Sequence, residues 1–125
     1  MISVAAAIIF KKNEVLIAKR AAHKSLAGYW EFPGGKIEAD ELPEQCLLRE
    51  LAEELQIIVK VNDHLMDHIH DYGDFVIELK AYSCSFVEGQ LTLTDHDEVL
   101  WVNVNDLLSY PLAPADVPIA KQLMK

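Results

Sequence analysis

One segment limits the folds open to this chain more than any other. "PEQCLLRELAEEL", Pro43 to Leu55, is its one long stretch with helical periodicity, and it lies between runs that read as strands. At about 100° per residue from Leu47, the side chains of Leu48, Leu51 and Leu55 fall at roughly 100°, 40° and 80°, an apolar face directed at a core. Glu50, Glu53 and Glu54 fall at roughly 300°, 240° and 340°, so three carboxylates at i, i+3 and i+4 can converge beside the helix. Six carboxylates lie between Asp40 and Glu54, and Arg49 is the only cation within the helix. Their repulsion is left largely uncompensated. Such a face is either solvated or an oxygen-rich site for a hard divalent cation, Mg²⁺ or Mn²⁺.

The flanking runs are β-like. "SVAAAIIF", the polar turn "KKNE" and "VLIAK" form a hairpin pattern. "AAHKSLAGYWEFPGGK" is irregular, and its Gly34 and Gly35 after Pro33 allow close approach of the backbone to a ligand or make an ordinary turn. After the helix, "IIVKV", "FVIELKAYSCSF", "LTL" and "VLWVNV" read as strands, with a turn at Glu88-Gly89. A short helix near "VNDLLSY", a Pro-rich loop and a last helix from about Val117 to Met124, N-capped by Asp116, complete the pattern. The expected fold is α/β, a mixed β-sheet sandwiched between α-helices.

The chain of 125 residues fits one domain spanning residues 1–125. Its net charge of -9 argues against bare nucleic acid and anionic membrane as partners, because phosphate binding relies on clustered Lys and Arg. A polyanionic substrate would need divalent cations between it and the protein. The longest apolar run, Val4 to Phe10, is far shorter than the roughly 20 residues that span a bilayer, so it is read as a buried strand in a cytoplasmic protein. Cys46 and Cys84 lack a CxxC pattern and are expected to be reduced structural thiols. His68 and His70 superficially suggest zinc, but no Cys or third His lies nearby.

From Gly35 the sequence reads G, five residues, Glu41, seven residues, then "RELAEELQI". This resembles the Nudix box, G-x5-E-x7-R-E-U-x-E-E-x-G-U with U apolar, at every defined position except Gln56, which stands where the family has glycine. The box covers 23 of the 125 residues. "WEFPGGKIE" and "YPLAPADVPIAK" extend the likeness to the MutT-like branch, which includes 8-oxo-dGTP and CTP pyrophosphohydrolases.

The resemblance implies the Nudix fold and hydrolysis of a nucleoside diphosphate linked to another group. It implies that Glu50, Glu53 and Glu54 are ligands of Mg²⁺, with Mn²⁺ as an alternative, helped by the main-chain carbonyl near Gly34. Arg49 would orient the glutamates, and Glu41 would fix Arg49 or the loop. Glu53 is one candidate general base; Asp95 and Glu98 of "DHDE" are others, set against the alternative of an exposed acidic loop. Arg20 and Lys36 are expected at the phosphates, with an ordinary surface role as the alternative, and Asp116 at the base edge, where an ionised Asp accepts from N–H groups. Phe32, Tyr29 and Phe75 could stack on the base or belong to the core. Gln56 would strain a left-handed cap by roughly 1 kcal/mol.

The expected activity is that of a (d)NTP pyrophosphohydrolase that sanitises the nucleotide pool, acting on a small nucleoside triphosphate as a monomer or homodimer. Its substrates would be 8-oxo-dGTP-like or cytidine-type. A nucleotide-sensing domain without turnover would be expected had the box lost a glutamate, and none is lost. An RNA 5′-end pyrophosphohydrolase would call for a basic surface.

Overall fold

The computed structural model describes residues 1–125. The apolar run near the N-terminus becomes the centre of the sheet. Strand β1 (Ile2–Lys11) sends Ala6 and Ile8 into one core cluster with Val15, Ile17, Leu107 and Ile119. It sends Ala5, Ala7 and Ile9 into another with Leu16, Leu47, Leu51 and Leu55. A strand buried on both faces needs no polar alternation, which is why its sequence is continuously apolar.

β1 runs parallel to β6 (Val76–Gly89) from Ile2 to Phe10. It meets β2 (Glu14–Arg20) only at the hairpin tip, at Phe10–Val15 and Lys11–Glu14. Below the tip the two strands part. β4 (Gly34–Lys36) takes the edge of β1 at Val4–Ala6, while β2 pairs with β3 (Trp30–Glu31) and with β7 (His96–Asn103). β5 (Ile57–Asp71) lies antiparallel to β6 at the far side. Helix α1 (Pro43–Leu55) covers one face, and α2 (Val117–Leu123) covers the other with the 3-10 turns Val104–Ser109 and Pro114–Asp116. The parting of β1 and β2 opens a cleft in the otherwise continuous sheet. β1, β4, β6, α1 and the loops line it.

Several local expectations change. Leu48 is 47% exposed, and Cys46 takes its place in the core, because β4 packs against that side of α1 and leaves the Leu48 side open. "LTL" is not a strand; Thr92 N–H and Thr94 Oγ1 instead donate to the Leu55 and Glu54 carbonyls at the end of α1. β5 continues ten residues beyond "IIVKV" through polar sequence, and β3 and β4 lie within the segment read as irregular. Edge and short strands carry weak apolar patterning, so their pairing is set by neighbours. Both cysteines are buried and unpaired, and burial pushes their thiols up to about 12.

Candidate active site

α1 starts without a polar cap residue. Its first turn is secured by Pro43 and by Gln45, whose side chain accepts from the Leu42 N–H at 2.9 Å. At its other end Gln56 adopts φ 57°, ψ 41° and donates its N–H to the Leu51 carbonyl, the left-handed cap that glycine ordinarily fills. The strain expected from the sequence therefore sits at the cap and leaves the acidic face in place.

Glycines bring that face against the sheet. A Cβ on Gly34 would overlap the Ala5 carbonyl, and one on Gly35 would lie 2.6 Å from Glu50 Oε2. The pair thus lets β4 dock on β1 and lets the Glu50 carboxylate lie flat on the backbone.

Arg49 organises the rest. Its Nε and Nη2 donate to the two carboxylate oxygens of Glu41 at 2.8 and 2.9 Å, and its Nη1 donates to Glu50 Oε1 at 2.7 Å. Glu41 also accepts from the Glu38 N–H at 3.0 Å. The guanidinium holds the Glu41 carboxyl down to about 2, with the Glu38 backbone assisting.

The cleft has a volume of about 450 Å³. Glu50, Glu54, Gly34, Gly35 and Lys36 line it together with Phe32, Tyr72, Phe75, Ile77, Leu79 and Asp116, and with Arg20, Glu31 and the loop residues Lys24, Ser25 and Leu26. Glu31 is close enough to contribute, after burial, to raising the carboxyls of both Glu54 and Asp116. Four carboxylates therefore face three cations. Glu54 carries the imbalance. Burial, then Glu50, pushes its carboxyl up to about 8, and its Oε2 is buried with no hydrogen-bond partner. An unpaired, buried carboxylate oxygen beside a second carboxylate is unfavourable alone and fits a hard cation as counter-ion.

The three glutamates do not converge in this arrangement. No group of three acidic, His or Cys side chains gathers on one point. Glu50 and Glu54 face the cleft, whereas the Glu53 side chain is 62% exposed and lies 3.6 Å from Arg49 Nη1. Helical spacing places Glu53 on the right side of α1, but the free rotamer follows the nearest cation.

The remaining expected residues divide. Arg20, Phe32, Lys36, Phe75 and Asp116 line the cleft. Tyr29 does not, and is 39% exposed. Asp95 and Glu98 are also absent from the lining. Asp95 lies 3.8 Å from Lys24 Nζ and close enough to contribute to raising the Glu54 carboxyl. Glu98 stands exposed in β7 opposite Lys19. Asp116 does not cap α2 through its side chain. It is 5% exposed, and burial followed by Glu31 raises its carboxyl well above the usual range. His68 and His70 stack toward Tyr72, their rings 5.7 Å apart and His70 4.6 Å from Tyr72, and form no metal group.

Sequence reasoning missed Glu31, Tyr72 and His96. Glu31 Oε1 accepts from Arg20 Nη1, and its Oε2 lies 2.9 Å from His96 Nε2. Tyr72 stacks on Phe75 at 5.2 Å and accepts the Ala115 N–H through its hydroxyl. "WEF" beside the glycine pair was the one local signal for Glu31.

A family model described as NUDIX domain matches residues 4–122. The chain is 40% identical over 124 residues to a CTP pyrophosphohydrolase of Escherichia coli, covering 99% of this chain and 92% of that protein. It is 43% identical over 88 residues to an 8-oxo-dGTP diphosphatase of Proteus vulgaris, covering 70% and 79%. Among solved structures, the E. coli ORF135 protein superposes with a TM-score of 0.88 at 41% identity, covering 99% of this chain and 89% of that one. A MutT protein of methicillin-resistant Staphylococcus aureus gives 0.79 at 37%, covering 98% and 95%.

Proposed function

The chain belongs to the Nudix hydrolase family, and on that premise we propose that it is a MutT-like (d)NTP pyrophosphohydrolase that removes oxidised or non-canonical triphosphates such as 8-oxo-dGTP from the nucleotide pool. The observation that carries this reading is a cleft whose lining joins the carboxylates of Glu50 and Glu54 to Phe32, Tyr72, Phe75 and buried Asp116. A triphosphate laid along it would put its phosphates at Glu50 and Glu54 and its base between Phe32 and Phe75.

Nudix hydrolases use a divalent metal, and Mg²⁺ is the ion proposed here, held by Glu50, Glu54 and the carbonyl near Gly34. Glu53, exposed and only loosely paired, can turn to join them. When bound, the ion neutralises phosphate charge and lowers the pKa of water. The chain's own groups do the rest. Arg49 holds Glu50 in place, and Arg20 and Lys36 offset charge on the phosphates. Water attacks the β-phosphorus, nucleoside monophosphate leaves, and a carboxylate takes the proton. Glu53 or Asp95 serves as that base.

A second reading, hydrolysis of cytidine triphosphates, is favoured by the full-length likeness to a CTP pyrophosphohydrolase. Asp116 suits either base, because its carboxylate oxygens accept from N–H groups, which guanine-type edges and the cytosine amino group both offer. The test is kcat/KM with Mg²⁺ across canonical and oxidised (d)NTPs. Preference for 8-oxo-dGTP supports the first reading, preference for CTP or dCTP the second, and turnover of none contradicts both.

A further inference from the structure

We propose that His96 is a positioning residue for nucleotide binding: it donates from Nε2 to Glu31 and thereby fixes Arg20, a cation of the cleft lining. The proposal rests on the functional reading above for its effect on turnover, and on geometry alone for its effect on Arg20.

The backbone first turns His96 inward. β2 and β7 pair Lys19 with Glu98, and the next pair is Arg20 with His96, so Asp97 is the extra residue of a one-residue bulge. Without that bulge, the strand alternation would set Asp97 opposite Arg20. With it, Asp97 and Glu98 are both exposed and His96 is 7% exposed.

The side-chain chain then runs toward the cleft. His96 Nε2 lies 2.9 Å from Glu31 Oε2; Glu31 Oε1 accepts from Arg20 Nη1 at 2.9 Å; and Arg20 Nε donates to the Ser25 carbonyl at 2.6 Å. Arg20, Ser25 and Glu31 all line the cleft, and His96 does not. Each Glu31 oxygen is thus committed to one donor, which fixes the carboxylate plane and, through it, the guanidinium. The unspent N–H groups of Arg20 remain for phosphate or sugar oxygens.

The other nitrogen supports this role. His96 Nδ1 is buried with no partner. A bare lone pair there is less costly than an unpaired N–H, which places the proton on Nε2, facing Glu31. A histidine kept only to fill the core would be replaceable by an apolar side chain that leaves nothing unsatisfied. The donor to Glu31 is what an apolar residue cannot supply.

The test compares His96→Leu, which removes the donor, with His96→Gln, whose amide nitrogen can occupy the Nε2 position. Steady-state kinetics on the nucleotide best used by the wild type should show KM raised about tenfold in His96→Leu, kcat within about twofold, and KM restored to within about threefold in His96→Gln. Independently, in the metal-free protein, the Arg20 Nη1–H NMR signal, whose proton is donated to Glu31, should exchange slowly in wild type and His96→Gln and be lost or shifted in His96→Leu. An unchanged KM and Arg20 signal in His96→Leu would overturn the proposal, as would equal damage in both variants. If leucine prevents folding, His96→Phe, which likewise has no donor, replaces it. The same loss of the Arg20 signal is expected, with its retention counting against the proposal. A wild type that turns over no nucleotide would remove the functional reading, and the Arg20 signal would still decide the role of His96.

Discussion

Arg49 grips both oxygens of Glu41, at 2.8 and 2.9 Å, while a third nitrogen atom holds Glu50 at 2.7 Å. One planar cation therefore ties the loop before α1 to the acidic face of the helix. Lysine has the charge but not the fork. Arg49→Lys should lower kcat by roughly tenfold to a hundredfold through misplacement of Glu50, with a fall in Tm at pH 7 no larger than that of Glu41→Gln. Steady-state kinetics beside thermal melts check this, and an undiminished kcat would exclude a positioning role.

The same pair makes the fold sensitive to acid. The Glu41 carboxyl is depressed from 4.5 to about 2, so the folded state holds its proton more weakly than the unfolded state. Its stabilising contribution is complete above about 4.5 and is lost as pH falls toward 2. Glu41→Gln should lower Tm at pH 7 and show a smaller fall in Tm between pH 5 and pH 2. Melts across that range give the comparison directly.

Glu54 behaves in the opposite sense. Its carboxyl is raised from 4.5 to about 8, so stability is lost as pH rises through that window and the loss is complete above it. Glu54→Gln should therefore raise the Tm of metal-free protein, most at pH 9 and hardly at pH 4, while abolishing turnover. Adding Mg²⁺ should raise the Tm of the parent and leave that of the variant nearly unchanged. A destabilised variant at pH 9 would contradict the counter-ion role.

Gln56 holds a left-handed conformation with φ 57° at the end of α1. Gln56→Gly should relieve about 1 kcal/mol of strain, less the entropy glycine adds to the unfolded chain. The net rise in Tm should be a few degrees, with kcat/KM unchanged, because Gln56 does not line the cleft.

Asp116 is buried in the cleft lining. Asp116→Ala should lower kcat/KM for the preferred nucleotide about tenfold to a hundredfold and narrow its advantage over other bases. A uniform loss across all nucleotides would place Asp116 outside base selection.

How much of this was legible follows from how local each feature is. The extent of α1 was readable, because its apolar period and Pro43 lie within one segment, although Leu48 proved exposed and Cys46 buried. β1 was legible from unbroken apolarity, and the strained cap at Gln56 from one departure from a fixed pattern. The rotamer of Glu53 was not, since it depends on where Arg49 finds its partners. His96 was hidden among "DHDE", where three neighbours are acidic and two of them exposed. A bulge against β2 turns it inward, and a bulge leaves no mark in the strand's own composition. The polar second half of β5 escaped notice for the same reason: its pairing with β6 is supplied across the sheet.

The central claim is that this cleft cleaves a nucleoside triphosphate between its α- and β-phosphates. The most direct measurement is hydrolysis in ¹⁸O-labelled water with Mg²⁺, followed by mass spectrometry of the products. The account predicts nucleoside monophosphate and pyrophosphate, with the label in pyrophosphate, as attack at the β-phosphorus requires. Nucleoside diphosphate and inorganic phosphate as products, or label in the monophosphate, would contradict it.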